Sequence, residues 1–160
     1  MHLTRARGLA VSALATLVAC SVPAGAAHAQ AQPSKGEQAL KYRKAVYQTI
    51  VWNFGPMSAM AQGKAPFDGA QFAMRAGRVA ALAPMLSESY SPETQGVAGS
   101  RLKAGMWQNR ADFDAKLKTL VDRSAELAAV ANVGDEAKTK AAFFEVANAC
   151  KACHDEYKAD

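Results

Sequence analysis

The chain has 160 residues, of which half are hydrophobic, so it is long enough for one domain with a buried core. Its 19 Lys and Arg residues exceed the 14 Asp and Glu residues by five, and by three if the first 29 residues, which contain Arg5 and Arg7, are removed. This weak positive balance argues against nucleic acid as the main partner.

The first 29 residues have the pattern of a secretory signal peptide. Arg5 and Arg7 give a positive start, an apolar run follows over 9–19, and Ala27-His28-Ala29 matches an A-x-A cleavage site. The apolar run is shorter than the about 20 residues that a membrane-spanning helix needs. We therefore predict a periplasmic protein without a transmembrane span, with a signal peptide at 1–29 and one domain at 30–160.

A second interpretation of this leader stays open. Residues 17–20 resemble a bacterial lipobox, in which Cys20 would carry lipid and anchor the protein. The intact mass of the mature protein distinguishes the two interpretations, because only the lipoprotein keeps a diacylated Cys20.

The mature chain predicts four amphipathic helices and no strand pair. Apolar residues recur at helical spacing over 37–54 with a continuation at 57–61, over 70–88, over 110–131, and from 135 to about 157. Gly55-Pro56 is expected to interrupt or kink the first helix, and Pro84 to kink or shorten the second. Asn109 and Asp135 are expected to cap the third and fourth. The predicted fold is all-α, an antiparallel four-helix bundle.

Cys150, Cys153 and His154 form the strongest chemical signal in the sequence. The pattern C-x-x-C-H is the attachment motif for c-type haem. Each thiol makes a thioether with a haem vinyl group, and the following histidine offers its imidazole to the iron. On a helix the three residues stand at i, i+3 and i+4 and share one face. Cleavage after Ala29 leaves no other Cys or His, so the motif has no competitor for the metal.

Three other interpretations of the cysteine pair fit less well. A thiol–disulfide exchange motif normally opens a helix next to a strand, and no strand is expected here. A structural zinc site needs four ligands, so a carboxylate such as Asp155 or Glu156 would have to join the motif. A simple disulfide is common in exported proteins, but a two-residue spacing on a helix suits it poorly.

The iron position opposite His154 has no obvious protein ligand. No second His remains after cleavage, and no Met lies centrally on the face of the first helix that would oppose the haem. Arg43 stands on an otherwise apolar face of that helix and therefore needs an anion. Tyr47, one turn later, is the residue expected to face the iron. The sequence favours five-coordinate, high-spin iron.

Two alternatives remain for the function. In a low-spin electron-transfer cytochrome of the same fold, Met57 or Met60 would be the sixth ligand. A haem sensor or a peroxidase-like enzyme would need a distal acid–base group, usually His, which the mature chain lacks.

Four stretches together resemble the cytochrome c′ family, the class II c-type cytochromes. They are Lys41-Tyr42-Arg43, the loop 63–68, Trp107, and the segment 150–158. The resemblance extends over essentially all of the mature chain. The expected four-helix bundle therefore depends on this resemblance as well as on the helical periodicity.

The resemblance also implies roles for individual residues. It implies one covalently attached haem c per chain, with Arg43 at a haem propionate and Lys44 at the haem edge. Tyr47 falls at the distal position that shields the iron, and Lys158 falls at a basic position beside the proximal imidazole. The resemblance also implies a haem contact for Arg101, in a loop that is longer than the family pattern.

Members of this family are usually periplasmic homodimers with high-spin iron that binds nitric oxide and carbon monoxide. The resemblance thus implies a second copy of the chain, small gaseous ligands and redox proteins as partners. It implies dimerisation through the first two helices. We expect gas binding or electron transfer, without catalytic bond-making by the protein itself.

Overall fold

The structure is a computed structural model that describes residues 32–159. The predicted signal peptide, with Cys20, lies outside the described residues. Four α-helices make up the fold: α1 (Lys35–Ala61), α2 (Gly69–Leu82), α3 (Arg110–Val133) and α4 (Glu136–Tyr157). The helices pack in sequence order, and α4 closes the bundle against α1. The predicted all-α antiparallel four-helix bundle is confirmed.

The long connection between α2 and α3, residues 83–109, is the crossover segment of the bundle. It contains three short 3₁₀ helices, Ala83–Ser89, Pro92–Thr94 and Ala104–Met106. An isolated antiparallel bridge pairs Leu102 with Lys158, just after α4. The crossover is thereby fastened to the end of the helix that carries the cysteines.

The start of α1 follows from a reciprocal capping box. Ser34 Oγ accepts a hydrogen bond from the backbone N–H of Glu37 at 3.2 Å, and the Glu37 carboxylate accepts one from the backbone N–H of Ser34 at 2.7 Å. These bonds satisfy N–H groups that would otherwise have no partner at the helix start.

The expected break at Gly55-Pro56 does not interrupt α1, which continues to Ala61. A proline inside a helix frees the carbonyl four residues earlier, here that of Trp52. Arg75 Nη1, on α2, donates to this Trp52 carbonyl oxygen at 3.4 Å. A contact between two helices thus offsets the hydrogen bond that Pro56 cannot make.

The predicted shortening of the second helix at Pro84 is confirmed. α2 ends at Leu82, and Pro84 lies in the first turn of the following 3₁₀ helix. Because Pro84 has no N–H, it cannot donate to the carbonyl four residues earlier, and the backbone changes there from α-helical to 3₁₀ geometry.

One of the two predicted caps is wrong in its detail. Asn109 precedes α3, but its side chain makes no cap and instead donates to the Gly105 carbonyl at 3.2 Å. Asp135 caps α4 as predicted, accepting from the Lys138 N–H at 3.0 Å. Between them, Gly134 ends α3 with a left-handed φ of 84°, which glycine adopts at little cost.

A cluster of phenylalanines fills the core between α1, α2 and α4. Phe143 is 1% exposed and lies at its centre. Its ring stacks on Phe54 with 4.4 Å between centroids and meets Phe72 edge-on at 5.9 Å. Because the ring contacts two other helices, its removal would leave a cavity in the core.

Replacing Phe143 with alanine is expected to lower the free energy of unfolding by about 3–5 kcal/mol, the cost of truncating a buried aromatic side chain. Phe144→Ala is the matched control. The Phe144 ring is 43% exposed, so the loss there should be about 1 kcal/mol or less. Urea unfolding followed by circular dichroism measures both variants. Equal losses would contradict the central place of Phe143.

No helix within residues 32–159 is long and apolar enough to cross a membrane.

Candidate functional site

The cysteine–histidine motif lies on the last two turns of α4, as the sequence predicts. Cys150 and Cys153 are half-buried free thiols. Burial, followed by the neighbouring Cys153, raises the pKa of the Cys150 thiol to about 11. A thiol–disulfide exchange motif requires the opposite shift, towards the thiolate. The thiols are therefore poor candidates for that chemistry.

The described residues do not support a zinc site either. No group of three or more His, Cys, Asp and Glu side chains within 32–159 is arranged to hold a metal ion. Asp155, one of the two carboxylates that could have completed such a site, makes an ion pair with Lys151 at 2.5 Å. Haem attachment remains the interpretation that uses both cysteines and the histidine.

A pocket of about 380 Å³ opens beside the motif, between α1, the crossover, α3 and α4. We call it the motif pocket. Seven of the eight residues predicted from the sequence line it; they are Arg43, Lys44, Tyr47, Arg101, Cys153, His154 and Lys158. The eighth, Cys150, stands one turn before Cys153 on α4. The structure thus brings together side chains that lie more than 100 positions apart in the chain.

Arg43 is the clearest sign that the motif pocket takes an anionic group. The side chain is 5% exposed, and its Nη1 has no hydrogen-bond partner in the described structure. Nη2 lies 3.4 Å from Ser100 Oγ, and the guanidinium stands 4.5 Å from the centroid of the Tyr90 ring. A buried cation without a carboxylate is costly, so this site fits a ligand that brings its own negative charge.

Three further basic side chains surround the mouth of the pocket: Lys44, Arg101 and Lys158. Arg101 is partly engaged, since its Nε donates to the Ala159 carbonyl at 3.1 Å. Burial and then the positive charge of Lys158 lower the pKa of the His154 imidazole. A neutral imidazole is the form that ligates a metal.

Tyr90 is a pocket residue that the sequence analysis missed. Its hydroxyl lies 2.9 Å from that of Tyr47, and both side chains line the motif pocket. Tyr90 is 6% exposed, its ring meets Phe113 edge-on at 4.6 Å, and its carbonyl accepts from Arg110 Nη1 at 2.7 Å. Tyr90 follows a 3₁₀ helix in a segment without helical periodicity, so no pattern marked it as buried.

The methionines suspected as alternative iron ligands lie away from the motif pocket. Met57 and Met60 are 0% and 3% exposed, and neither lines it. The Met60 sulfur instead accepts a hydrogen bond from the backbone N–H of Asp68 at 3.3 Å, beside the loop that links α1 and α2. Among the described residues that line the pocket, none is a methionine, and His154 is its one histidine.

Comparison with known proteins gives one consistent result. A family model described as Cytochrome C′ matches residues 38–158. A cytochrome c′ of Rubrivivax gelatinosus is 35% identical over 127 residues, which cover 79% of this chain and 98% of that protein.

Solved structures agree with the sequence matches. A cytochrome c prime from Shewanella frigidimarina is 39% identical with a TM-score of 0.76, and the match covers 80% of this chain and 99% of that one. A nitric oxide complex of a cytochrome c prime mutant from Alcaligenes xylosoxidans is 32% identical with a TM-score of 0.72, and the match covers 79% and 98% of the two chains. These relatives align over almost their whole length, so the likeness concerns the complete bundle.

Proposed function

Because the chain belongs to the cytochrome c′ family, whose cofactor is covalently attached haem c, we propose that Cys150 and Cys153 form the two thioethers and His154 is the axial iron ligand. Haem c supplies an iron that binds a small ligand or exchanges an electron. We further propose that this iron is five-coordinate and high-spin and binds nitric oxide and carbon monoxide. The observation that carries this proposal is that the motif pocket offers His154 and no second His or Met within the described chain.

The charges of the motif pocket support this assignment. A haem group brings two carboxylates, and the unpartnered Nη1 of buried Arg43 would donate a hydrogen bond to one of them in an ion pair. Lys44 and Arg101 stand at the pocket mouth, where the polar edge of the group would reach solvent. Lys158 follows His154 by one turn and keeps positive charge near the proximal imidazole.

An optical spectrum tests the open iron position. We expect the ferrous protein to lack a sharp low-spin α-band until carbon monoxide is added. Met57→Leu and Met60→Leu should leave the spectrum unchanged, because neither side chain lines the motif pocket. A sharp α-band without added ligand, lost in either variant, would support the low-spin electron-transfer alternative instead.

Electron transfer is the second candidate function, either beside gas binding or in place of it. Its support is the open mouth of the motif pocket, where Lys44, Arg101 and Lys158 give a positive rim. Such a rim favours redox partners with acidic surfaces, and their association should slow as the salt concentration rises. In either role the protein does no catalytic bond-making of its own.

We propose a periplasmic location, which the signal pattern at 1–29 supports. The same pattern predicts that the mature protein begins near Gln30. Mass spectrometry of the native protein tests both statements, since a lipid on Cys20 would instead place the protein at a membrane surface.

We also propose that the protein is a homodimer that pairs through α1 and α2. Trp52 and Val51 are 75% and 66% exposed on the outer face of α1. They border a groove of about 660 Å³ that Pro56 and Arg75 also line. Because the projecting ring and the apolar groove lie on the same face, a two-fold axis lets each copy bury the Trp52 of the other.

Trp52→Glu is expected to convert the dimer to a monomer, because it places a charge in the centre of the proposed interface. Val133→Glu is the matched control: Val133 is 81% exposed at the end of α3, outside that groove. Sedimentation velocity at micromolar concentration measures both. A dimer that survives Trp52→Glu, or a wild-type monomer, would contradict the proposed interface.

A further inference from the structure

The Tyr47–Tyr90 pair carries one more proton than its own hydrogen bond uses. Two phenol groups that share one hydrogen bond employ one O–H as donor and leave the other free. Within residues 32–159, the other tyrosine is the one acceptor within hydrogen-bond distance of either hydroxyl. The Arg43 guanidinium also approaches Tyr90, but it can only donate and takes no proton from the pair. The second proton therefore has no acceptor in the described part of the chain.

Both phenols keep their protons at neutral pH. Burial is the main cause that raises the pKa of Tyr47 and of Tyr90 above the usual value for tyrosine. The buried Arg43 guanidinium opposes this shift at Tyr90 without cancelling it. Both hydroxyls are thus uncharged and protonated around pH 7, and each can donate a hydrogen bond.

The unused proton belongs to side chains that line the motif pocket. Tyr47 and Tyr90 line it together with Cys153 and His154, so the pair shares one pocket with the proposed axial ligand. The ring of Tyr90 is held between Phe113 and the Arg43 guanidinium, with centroid distances of 4.6 and 4.5 Å. These contacts hold Tyr90 in place, and its hydrogen bond in turn positions the Tyr47 hydroxyl.

We propose that the Tyr47–Tyr90 hydroxyl pair donates its unused proton in a hydrogen bond to a small ligand on the iron, and so selects ligands whose atoms accept hydrogen bonds. This inference rests on the proposed open iron position opposite His154. The ligand class is small anions and polar diatomics, with fluoride as the clearest probe. A purely apolar aromatic at position 47 would give no such preference.

The pair can serve as donor without losing its internal bond. When Tyr90 donates to Tyr47, the Tyr47 O–H is the free one, and each bond in such a chain strengthens the next. In this arrangement Tyr47 would be the residue that donates to the ligand, and Tyr90 would be a positioning residue that acts through it. Carbon monoxide accepts hydrogen bonds weakly, so its affinity should depend little on either hydroxyl.

Fluoride titration of the ferric holoprotein at pH 7 tests the proposal. We expect the double variant Y47F/Y90F to bind fluoride about tenfold more weakly, the effect of one hydrogen bond to a charged acceptor. The affinity of the ferrous protein for carbon monoxide should fall by a smaller factor than the affinity for fluoride, because carbon monoxide accepts hydrogen bonds weakly. Its C–O stretching band should move to higher wavenumber, because the donor near the outer oxygen is gone.

Tyr42→Phe is the matched control. Tyr42 lies on the same helix, but its hydroxyl bonds to Glu88 and it does not line the motif pocket. Fluoride affinity should be unchanged in that variant. If the double variant does not fold, the single variants Tyr47→Phe and Tyr90→Phe decide, and each must weaken fluoride binding.

The outcomes separate this inference from the proposed function. Equal fluoride affinities and an unmoved C–O band in all variants, with carbon monoxide still bound, would overturn the donor role and leave the open iron position intact. A wild-type protein that binds neither fluoride nor carbon monoxide would overturn both. Weaker fluoride binding in Tyr42→Phe as well would overturn the assignment to the Tyr47–Tyr90 pair.

Discussion

Replacing His154 with glycine is expected to abolish imidazole ligation of the iron while leaving the haem content of the protein unchanged. In the proposed attachment the two cysteines would still hold the group covalently, and the deletion leaves room for a free imidazole at the end of α4. Added imidazole should therefore restore the wild-type ferrous spectrum. Resonance Raman spectroscopy measures the loss and the return of the iron–imidazole vibration directly.

Lys151→Ala is the matched control for this experiment. Lys151 lies inside the motif, but its side chain points to solvent and pairs with Asp155 at 2.5 Å. An exposed ion pair of this kind contributes little to stability, so the spectrum should not change. Retention of the iron–imidazole vibration in His154→Gly without added imidazole would rule out His154 as the axial ligand.

Replacing both Cys150 and Cys153 with serine is expected to release all of the haem from the denatured protein. Serine is close to cysteine in size, so α4 keeps its packing, but an alcohol does not form the thioether. Each single variant should keep one thioether. The α-band of its pyridine adduct should therefore lie at a longer wavelength than that of the wild type, because one haem vinyl group stays unreacted. Extraction with acidified acetone after denaturation measures the covalent fraction.

Cys20→Ser is the control for the cysteine variants, because Cys20 belongs to the predicted signal peptide. Its covalent haem fraction should equal that of the wild type. Haem that stays bound to the denatured double variant would show that another side chain holds it and would contradict the proposed attachment.

Features that depend on near neighbours in the chain were readable from the sequence. The spacing of Cys150, Cys153 and His154, the cap at Asp135 and the shortening at Pro84 each follow from a few consecutive residues. Arg43 was also readable, because a charge on an apolar helix face needs a partner wherever the helix packs.

Features that depend on tertiary contacts could not be read in the same way. Ser100, which bonds to Arg43, lies 57 residues away from it in the crossover. Tyr90 is placed by Phe113 and Arg110 on α3, and nothing in its own segment indicates burial. The carbonyl that Pro56 leaves free in α1 accepts a hydrogen bond from Arg75, which belongs to another helix. In each case the deciding group comes from a distant part of the chain.

The bridge between the crossover and the residues after α4 has a consequence for the order in which the protein is assembled. The backbone N–H of Lys103 donates to the Tyr157 carbonyl at 2.9 Å, and the N–H of Ala159 donates to the Arg101 carbonyl at 2.8 Å. These bonds join residues more than 50 positions apart in the chain, and such long-range contacts are slow to form during folding. We therefore expect the wall of the motif pocket to close late in folding, which would leave the two cysteines accessible for haem attachment until then.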